Sequence, residues 1–155
     1  MDYLSLSLNR NPVLKVQLLS SAAKTPTVAH PGEDLGYDVY ASESVTLAGK
    51  GNGVIPTGIA MECTTRDGKP MGCLLRDRSS LASKRLAILA GVIDAGYRGE
   101  IKVVMENLGD QPYAINAGDK IANMIPFPVL TEKVEVVAEL SPSKRETGGF
   151  GSSGK

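Results

Sequence analysis

Short apolar stretches alternate with polar turns along the chain, and this pattern predicts strands rather than helices. The apolar stretches are rich in Val, Ile and Leu, and Gly, Pro, Asn and Asp separate them. Strands are expected at Val13–Leu19, Asp34–Ala41, Val45–Leu47, Gly53–Glu62, Gly72–Leu75, Ile101–Asn107, Tyr113–Asn116, Ile121–Pro128 and Lys133–Leu140. Strands at roughly ten-residue spacing, with almost no helix, are typical of an all-β sandwich or jelly roll.

One segment, Arg76–Lys84, favours a short helix. Its residues after Ser80 suit a helix, and Ser79 or Ser80 is expected to be the N-cap. Free amides at such a start, beside Arg78, can bind an anion. The alternative is an ordinary serine cap next to a surface arginine, which is common.

The stretch from Gly91 to Glu100 predicts a β-hairpin with a carboxylate at its tip. An apolar run ends at Asp94, a glycine turn follows, and Tyr97 is expected at the start of the return strand. A carboxylate at the rim of an apolar hairpin is a candidate general base. Taken alone, an Asp that only satisfies turn amides is the more common case.

Asp38 lies inside the second predicted strand, where Asp is disfavoured. It therefore either faces water or holds an ion or a fixed hydrogen bond, and the pattern leaves both possibilities open.

Composition limits the available chemistry. The 155 residues fit one domain with a sizeable core. Because 17 basic residues balance 17 acidic ones, no net field attracts nucleic acid or membrane, and an anion site must be local. No bilayer-length apolar run or signal peptide is visible, so we expect a cytoplasmic protein with reduced Cys63 and Cys73. With His30 as the single histidine, the chemistry would use carboxylates, arginines, hydroxyls and backbone amides.

Residues 141–155 differ from the rest because they are rich in Gly, Ser and Lys and cannot bury a core. We therefore expect a β domain at 1–140 and a flexible arm at 141–155. The glycines and hydroxyls of the arm, together with Arg145, can still surround an anion. A disordered tail without function is the alternative.

Five segments in one order together resemble the motifs of the trimeric dUTPase family. They are Gly36–Ala41, Arg78–Ala82, Gly91–Gly99, Gly118–Asn123 and Arg145–Gly154. The resemblance covers the chain from about Val13 onward. It implies an all-β jelly roll that forms a homotrimer with active sites at subunit interfaces. The implied reaction is Mg²⁺-assisted hydrolysis of dUTP to dUMP and pyrophosphate, which limits uracil incorporation into DNA and supplies dUMP for thymidylate synthesis.

The resemblance also implies roles for the third motif. Asp94 matches the general base that activates water for attack on the α-phosphorus. Tyr97 matches the ring that packs under deoxyribose and leaves no room for a 2′-hydroxyl. The backbone that pairs with uracil is matched by Gly91, Val92 and Ile93.

For the phosphates and metal, the resemblance implies that Asp38 holds Mg²⁺ through water. The phosphate-binding motif is matched by Arg78, Ser79 and Ser80, and the substrate-binding set also includes Lys102 and Asn123. In the arm, Arg145 is implied to meet the γ-phosphate and Phe150 to stack over uracil. Gly151 and Ser152 are implied to close on the phosphates.

The sequence departs from the family pattern at Asp77, Ser80, Gly96, Asn123 and Glu146, where Pro, Gly, a second acid, Gln and Gly are usual. Two other functions are considered. A dCTP deaminase of the same fold needs a Glu where this chain has Val104, and Glu106 lies at a different depth along that strand. A catalytically silent nucleotide-binding regulator would be expected to lack Asp94, Tyr97 or the arm, and all are present.

Overall fold

The computed structural model describes residues 12–143, which contain eleven strands and one short helix. The elements are β1 (Pro12–Leu18), β2 (Tyr37–Tyr40), β3 (Val45–Leu47), β4 (Asn52–Pro56), β5 (Ile59–Thr65), β6 (Pro70–Arg76), α1 (Ser79–Ala82), β7 (Leu86–Ala90), β8 (Val92–Ile93), β9 (Lys102–Asn107), β10 (Tyr113–Ile115) and β11 (Lys120–Pro128). The prediction of an all-β jelly roll is confirmed.

Three antiparallel sheets make up the fold. The largest has the strand order β1–β5–β6–β11–β2, a second has the order β4–β9–β7, and β3 pairs with β10. Because β11 follows one edge of β6 along most of its length, β5 and β8 must share the other edge. β5 pairs with the beginning of β6, and β8 takes over further along. The short β8 strand is therefore fixed to the largest sheet.

The core lies between the sheets and is built from alternating strand positions. In β9, Val103 and Met105 are buried and Lys102 is exposed. The fully buried side chains also include Val39, Leu47, Ile55, Ile59, Leu86, Ile101, Ile115, Ile121 and Met124. Cys63 and Cys73 are free and buried in the same core.

The prediction of one strand at Gly53–Glu62 is wrong, because the chain changes sheets in the middle of this segment. β4 belongs to the second sheet and β5 to the largest one. Gly58 makes the crossover with a φ of 67°, a conformation that residues with a Cβ rarely adopt. A Cβ at Gly58 would also lie 2.8 Å from the Cβ of Ala23. This crossover (Thr57–Ile59) carries the buried Thr57.

The prediction of a strand at Lys133–Leu140 is also wrong. The segment has no regular secondary structure, and Val134 and Val136 are 83% and 94% exposed. The alternation is strand-like, but a strand also needs a neighbour that supplies its hydrogen bonds, and no strand between residues 12 and 143 pairs with it. No helix in the described part of the chain is both long and apolar enough to cross a membrane.

Candidate active site

The first group of predicted site residues surrounds Asp38 in β2. One carboxylate oxygen accepts a hydrogen bond from Arg78 Nη1 at 2.8 Å, and the other accepts one from Lys120 Nζ at 2.7 Å. The Asp38 side chain is only 16% exposed. β11 brings the three residues together because it pairs with β2 on one side and with β6, which leads to Arg78, on the other.

The ion pairs settle the question that the sequence left open about Asp38, since its carboxylate holds fixed hydrogen bonds. They also raise the pKa of Lys120 above 10.5, first through the hydrogen bond to Asp38 and then through its negative charge. We call Asp38, Arg78 and Lys120 the Asp38 group. Two cations share one carboxylate in it, so its formal charges sum to +1. The sequence reasoning missed Lys120, although it lies inside the fourth motif and pairs with Tyr40 in register.

The prediction that Ser79 or Ser80 caps the helix is wrong. Arg78 occupies the N-cap position with extended backbone angles, and its side chain makes no capping hydrogen bond. Arg78 is held there because its guanidinium reaches Asp38. The two serines occupy the first helical positions and are exposed, so their hydroxyls remain available to a ligand.

Asp77, which replaces the usual proline before Arg78, connects this turn to β7 through a hydrogen bond. Its carboxylate accepts a hydrogen bond from the backbone N–H of Ile88 at 2.7 Å. Ile88 lies in β7, the edge strand of its sheet, next to a register shift between β7 and β9. Asp77 thus satisfies an edge amide and fixes the start of the Arg78 turn to β7.

The second group of predicted residues lines a pocket of about 250 Å³. Its walls are Ala90, Gly91, Val92, Ile93, Asp94, Tyr97, Glu100 and Lys102. The pocket therefore brings together the predicted general base, the predicted sugar-packing ring and the predicted base-pairing backbone. We call it the Asp94 pocket. Glu100 was missed by the sequence reasoning because it follows directly after the motif.

The predicted hairpin around Asp94 is partly wrong. The turn is present, since Tyr97 N donates to Asp94 O at 3.0 Å. However, β8 pairs with β6 instead of with the return strand, and Tyr97 lies in the loop before β9. The switch occurs at Gly91, where a Cβ would overlap the carbonyl oxygen of Leu75. Only a glycine allows the chain to leave β7 and approach β6 this closely.

The pairing of β8 with β6 determines where the backbone groups of Val92 point. Leu75 N donates to Gly91 O at 2.7 Å, so Gly91 forms a hydrogen-bonded pair with β6. In an antiparallel pair, hydrogen-bonded and non-hydrogen-bonded positions alternate. Val92, which lies opposite Leu74, is therefore a non-hydrogen-bonded position. Its N–H and C=O point away from β6 to the free edge of β8.

Tyr97 is held by its own loop. Its hydroxyl donates to the carbonyl oxygen of Glu100 at 3.0 Å. Its ring packs against Gly99, where any Cβ would overlap the ring. The side chain of Tyr97 is nevertheless well exposed at the pocket, with 46% of the residue accessible. A fixed aromatic surface is thus available beside Asp94.

The two groups lie on separate elements. Among residues 12–143, no hydrogen bond or ion pair joins the Asp38 group to the residues of the Asp94 pocket. Asn123 lies beside Asp38 in register, and its buried Oδ1 has no hydrogen-bond partner among the described residues. The predicted arm residues Arg145, Phe150, Gly151 and Ser152 lie outside the described residues.

The side chains near Asp38 limit how a metal could be held. Between residues 12 and 143, no group of three or more His, Cys, Asp or Glu side chains could hold a metal ion. Mg²⁺ commonly keeps several waters and binds substrate phosphates instead of a full protein cage. The site therefore fits a magnesium ion carried by phosphate and water, with one carboxylate as an outer partner.

Comparison with known proteins gives a consistent picture. A family model described as dUTPase matches residues 22–154. The chain is 41% identical to the deoxyuridine 5′-triphosphate nucleotidohydrolase of Clostridium acetobutylicum over 91% of this chain and 96% of that protein. It is 38% identical to the Saccharomyces cerevisiae protein of the same name, over 92% and 95% of the two chains.

Solved structures agree. A variant of the Staphylococcus bacteriophage 80alpha dUTPase with dUpNHpp has a TM-score of 0.83 and 31% identity, over 92% of this chain and 99% of that one. A variant dUTPase from phage phi11 of S. aureus, in which the coordination of a structural Mg(II) ion was described, has a TM-score of 0.75 and 29% identity. That match covers 84% of this chain and 99% of the phage protein.

Proposed function

Because the chain belongs to the dUTPase family and is a dUTP diphosphatase that hydrolyses dUTP to dUMP, we propose that Asp94 is the general base of this reaction. The observation that carries the proposal is the Asp94 pocket itself. It places the carboxylate of Asp94 beside an aromatic ring and a free strand edge. In the proposed mechanism Asp94 accepts a proton from water as the water attacks the α-phosphorus, and pyrophosphate leaves.

Uracil is proposed to bind at the free edge of β8. The N–H and C=O of Val92 form an adjacent donor and acceptor, and Gly91 and Ile93 flank them. The O4 and N3–H groups of uracil complement this pair, whereas cytosine presents the reverse order of donor and acceptor. A mismatched base would leave a buried polar group unpaired, which discriminates strongly. Tyr97 is proposed to pack under deoxyribose and exclude a 2′-hydroxyl.

The triphosphate is proposed to bind at the Asp38 group. Arg78 and the exposed hydroxyls of Ser79 and Ser80 lie there, and Asn123 is adjacent in register. Lys102, which lines the Asp94 pocket, completes the substrate contacts of the described residues. Arg145, Phe150, Gly151 and Ser152 of the arm are proposed to close over the bound nucleotide.

Asp38 is the proposed outer partner of Mg²⁺, which it would hold through water. When bound, Mg²⁺ would neutralise phosphate charge and so favour attack on the α-phosphorus. Arg78 and Lys120 orient the Asp38 carboxylate, since each occupies one of its oxygens.

A homotrimer with shared active sites is proposed because no hydrogen bond or ion pair within the described chain joins the Asp38 group to the Asp94 pocket. In a homotrimer, the Asp94 pocket of one subunit would lie beside the Asp38 group of another subunit. Four strongly exposed apolar side chains within eleven residues support this, because exposed apolar groups concentrated in one segment are typical of an interface. They are Leu130, Val134, Val136 and Leu140. The proposed location is cytoplasmic, in keeping with the free thiols of Cys63 and Cys73.

The test of the catalytic role is the variant Asp94→Asn, assayed by pyrophosphate release from dUTP with Mg²⁺. We expect turnover to fall by about 10²–10⁴-fold while binding of a non-hydrolysable dUTP analogue is retained. The matched control is Asp110→Asn, because Asp110 is an exposed carboxylate whose one ion pair among residues 12–143 is with Lys50. Full turnover by the Asp94 variant would refute the assignment.

The specificity is tested with dUTP, dTTP, dCTP and UTP in the same assay. Only dUTP should be hydrolysed efficiently, because the free edge of β8 mismatches cytosine, Tyr97 excludes the 2′-hydroxyl of UTP, and the 5-methyl group of thymine would clash in the base site. Ammonia release from dCTP would instead indicate a deaminase. Nucleotide binding without any hydrolysis would indicate the silent regulator.

A further inference from the structure

The Asp94 pocket contains a second carboxylate, Glu100, for which the proposed reaction has no use. One oxygen of Glu100 accepts a hydrogen bond from Gly58 N at 3.0 Å, and the other lies 3.4 Å from Lys102 Nζ. The side chain is 26% exposed, so it is not a freely solvated surface group. One oxygen of Glu100 is thus bound to the backbone of the fold at Gly58, and the other lies beside the pocket residue Lys102.

The contact with Gly58 connects the pocket to a rigid part of the fold. Gly58 is the residue at which the chain crosses from β4 to β5, and its φ of 67° fixes the direction of its N–H. The neighbouring Ile101 N donates to Ile59 O at 2.8 Å, so the segment after Glu100 is held to the same crossover. The carboxylate therefore extends this attachment by one residue toward the loop.

Tyr97 depends on the same residue. Its hydroxyl donates to the backbone carbonyl of Glu100, and its ring packs against Gly99. The position of the ring therefore follows the position of the Glu100 peptide.

The loop is also held by Arg98, whose Nη1 donates to the carbonyl oxygens of Ala95 and Tyr97 and whose Nη2 lies 3.7 Å from Glu62. These contacts of Arg98 are exposed, whereas the hydrogen bond from Gly58 to the Glu100 carboxylate is partly buried, so water competes with it less.

We propose that Glu100 is a positioning residue that sets the discrimination between deoxyribose and ribose through Tyr97. This inference rests on the proposed role of Tyr97 at the sugar. Exclusion of one hydroxyl requires the ring to stay within a fraction of an ångström of its place, because a small shift opens room for an oxygen atom. Glu100 supplies that restraint by joining the Tyr97 loop to Gly58.

The experiment compares kcat/KM for dUTP with kcat/KM for UTP in the full-length protein with Mg²⁺. Glu100→Ala should lower this ratio by about tenfold, mostly through faster UTP hydrolysis. Glu100→Gln should keep most of the wild-type ratio, because its amide oxygen can still accept from Gly58 N. The matched control is Glu106→Ala, which changes a glutamate on β9 outside the pocket and should leave the ratio unchanged.

A second variant covers the possibility that Glu100→Ala does not fold. Tyr97→Phe removes only the hydroxyl that donates to the Glu100 carbonyl, and it should lower the ratio in the same direction. A ratio that stays at the wild-type value in Glu100→Ala or Tyr97→Phe would overturn the proposal, as would equal losses for both nucleotides.

The variant Tyr97→Ala separates this inference from the proposed function. If Tyr97→Ala lowers the ratio and Glu100→Ala does not, Tyr97 acts on the sugar without Glu100, and only the inference fails. If Tyr97→Ala keeps the wild-type ratio, the proposed sugar role of Tyr97 fails, and the inference fails with it.

Discussion

At the scale of single residues, the charges of the site are fixed by neighbours that lie far away in sequence. Asp38 is largely buried and touches Arg78 and Lys120, whereas the pair of Lys50 and Asp110 is exposed on both sides. Exposed pairs contribute little to stability because water screens them and the side chains lose entropy. A substitution in the Asp38 group should therefore change the free energy of unfolding more than one in the exposed pair.

The variant Lys120→Gln tests this through the pH dependence of stability. The pKa of Lys120 is raised above 10.5 in the folded protein by the hydrogen bond and charge of Asp38. Its stabilising contribution is therefore fully present below pH 10.5 and is lost as the pH rises through the folded pKa. The difference in urea midpoint between wild type and Lys120→Gln should be constant from about pH 7 to about pH 9 and should shrink near pH 11.

The control for this measurement is Lys50→Gln, which breaks the exposed pair with Asp110 and should have a small effect at every pH. A Lys120→Gln difference that grows above pH 10.5 would contradict the assignment of the ion pair.

The chemistry-bearing residues were visible in the sequence, while several of their partners were not. Asp94 and Tyr97 stand in a local motif, so short-range reasoning finds them. Lys120 and Glu100 acquire their roles from contacts with Asp38 and Gly58, which are distant in sequence. The helix N-cap was assigned wrongly because propensity favours serine there, and the ion pair of Arg78 with Asp38 overrides it.

At the scale of elements, two glycines decide where strands change partners. Gly58 directs the chain from the second sheet to the largest sheet, and Gly91 releases β8 from β7 so that it pairs with β6. Both lie inside apolar runs that look continuous in sequence. Periodicity predicted most of the strands, but it missed β7 and wrongly placed a strand at Lys133–Leu140. It also carries no information about which sheet a strand joins, so both breaks were missed.

The variant Gly58→Ala should destabilise the protein by more than the strain of a positive φ alone, which costs about 1 kcal/mol. The added Cβ would lie 2.8 Å from Ala23 Cβ and 3.0 Å from Ser20 Oγ. Gly68→Ala is the matched control, since Gly68 also has a positive φ but open space around it. Urea unfolding of the two variants gives the difference, and equal losses would show that the crossover is not tightly packed.

The variant Gly91→Ala should displace β8, because its Cβ would overlap the carbonyl oxygen of Leu75. We expect the KM for dUTP to rise about tenfold or more, since the free edge of β8 would move. Gly96→Ala, in the turn after β8 and with nothing near its Cβ position, should leave the KM close to the wild-type value. Steady-state kinetics on both variants decide between these outcomes.

At the scale of the whole molecule, no hydrogen bond or ion pair within residues 12–143 joins the two parts of the proposed site. The Asp38 group lies on β2, β11 and the start of α1, and the Asp94 pocket lies on β8 and the loop before β9. The fold class followed from the strand spacing. That the two groups are not joined within the described chain did not follow from the sequence. The order of the motifs along the chain does not indicate which subunit would complete a site.

Subunit mixing tests the proposed trimer directly. Chains carrying Asp94→Asn and chains carrying Arg78→Ala, each inactive alone, are unfolded together in equal amounts and refolded. If every site takes Asp94 from one subunit and Arg78 from another, about a quarter of the sites in random trimers contain both wild-type residues. Activity should therefore return to about a quarter of the wild-type value. Light scattering should give about three times the chain mass of 16.3 kDa.

No recovery of activity after mixing would show that each site is built within one chain. The control is the same procedure on each variant by itself, which should stay inactive.

The free edge of β8 has a consequence for how this protein could change over time. In the proposed binding mode Val92 presents its peptide N–H and C=O to the nucleobase, whereas its side chain is 73% exposed. Substitution of that side chain would therefore leave the donor and acceptor presented to the base unchanged. A variant that prefers a different base would need its main chain moved. Substitutions of the Val92 side chain should therefore leave base preference unchanged, and a change of substrate should need an insertion or deletion.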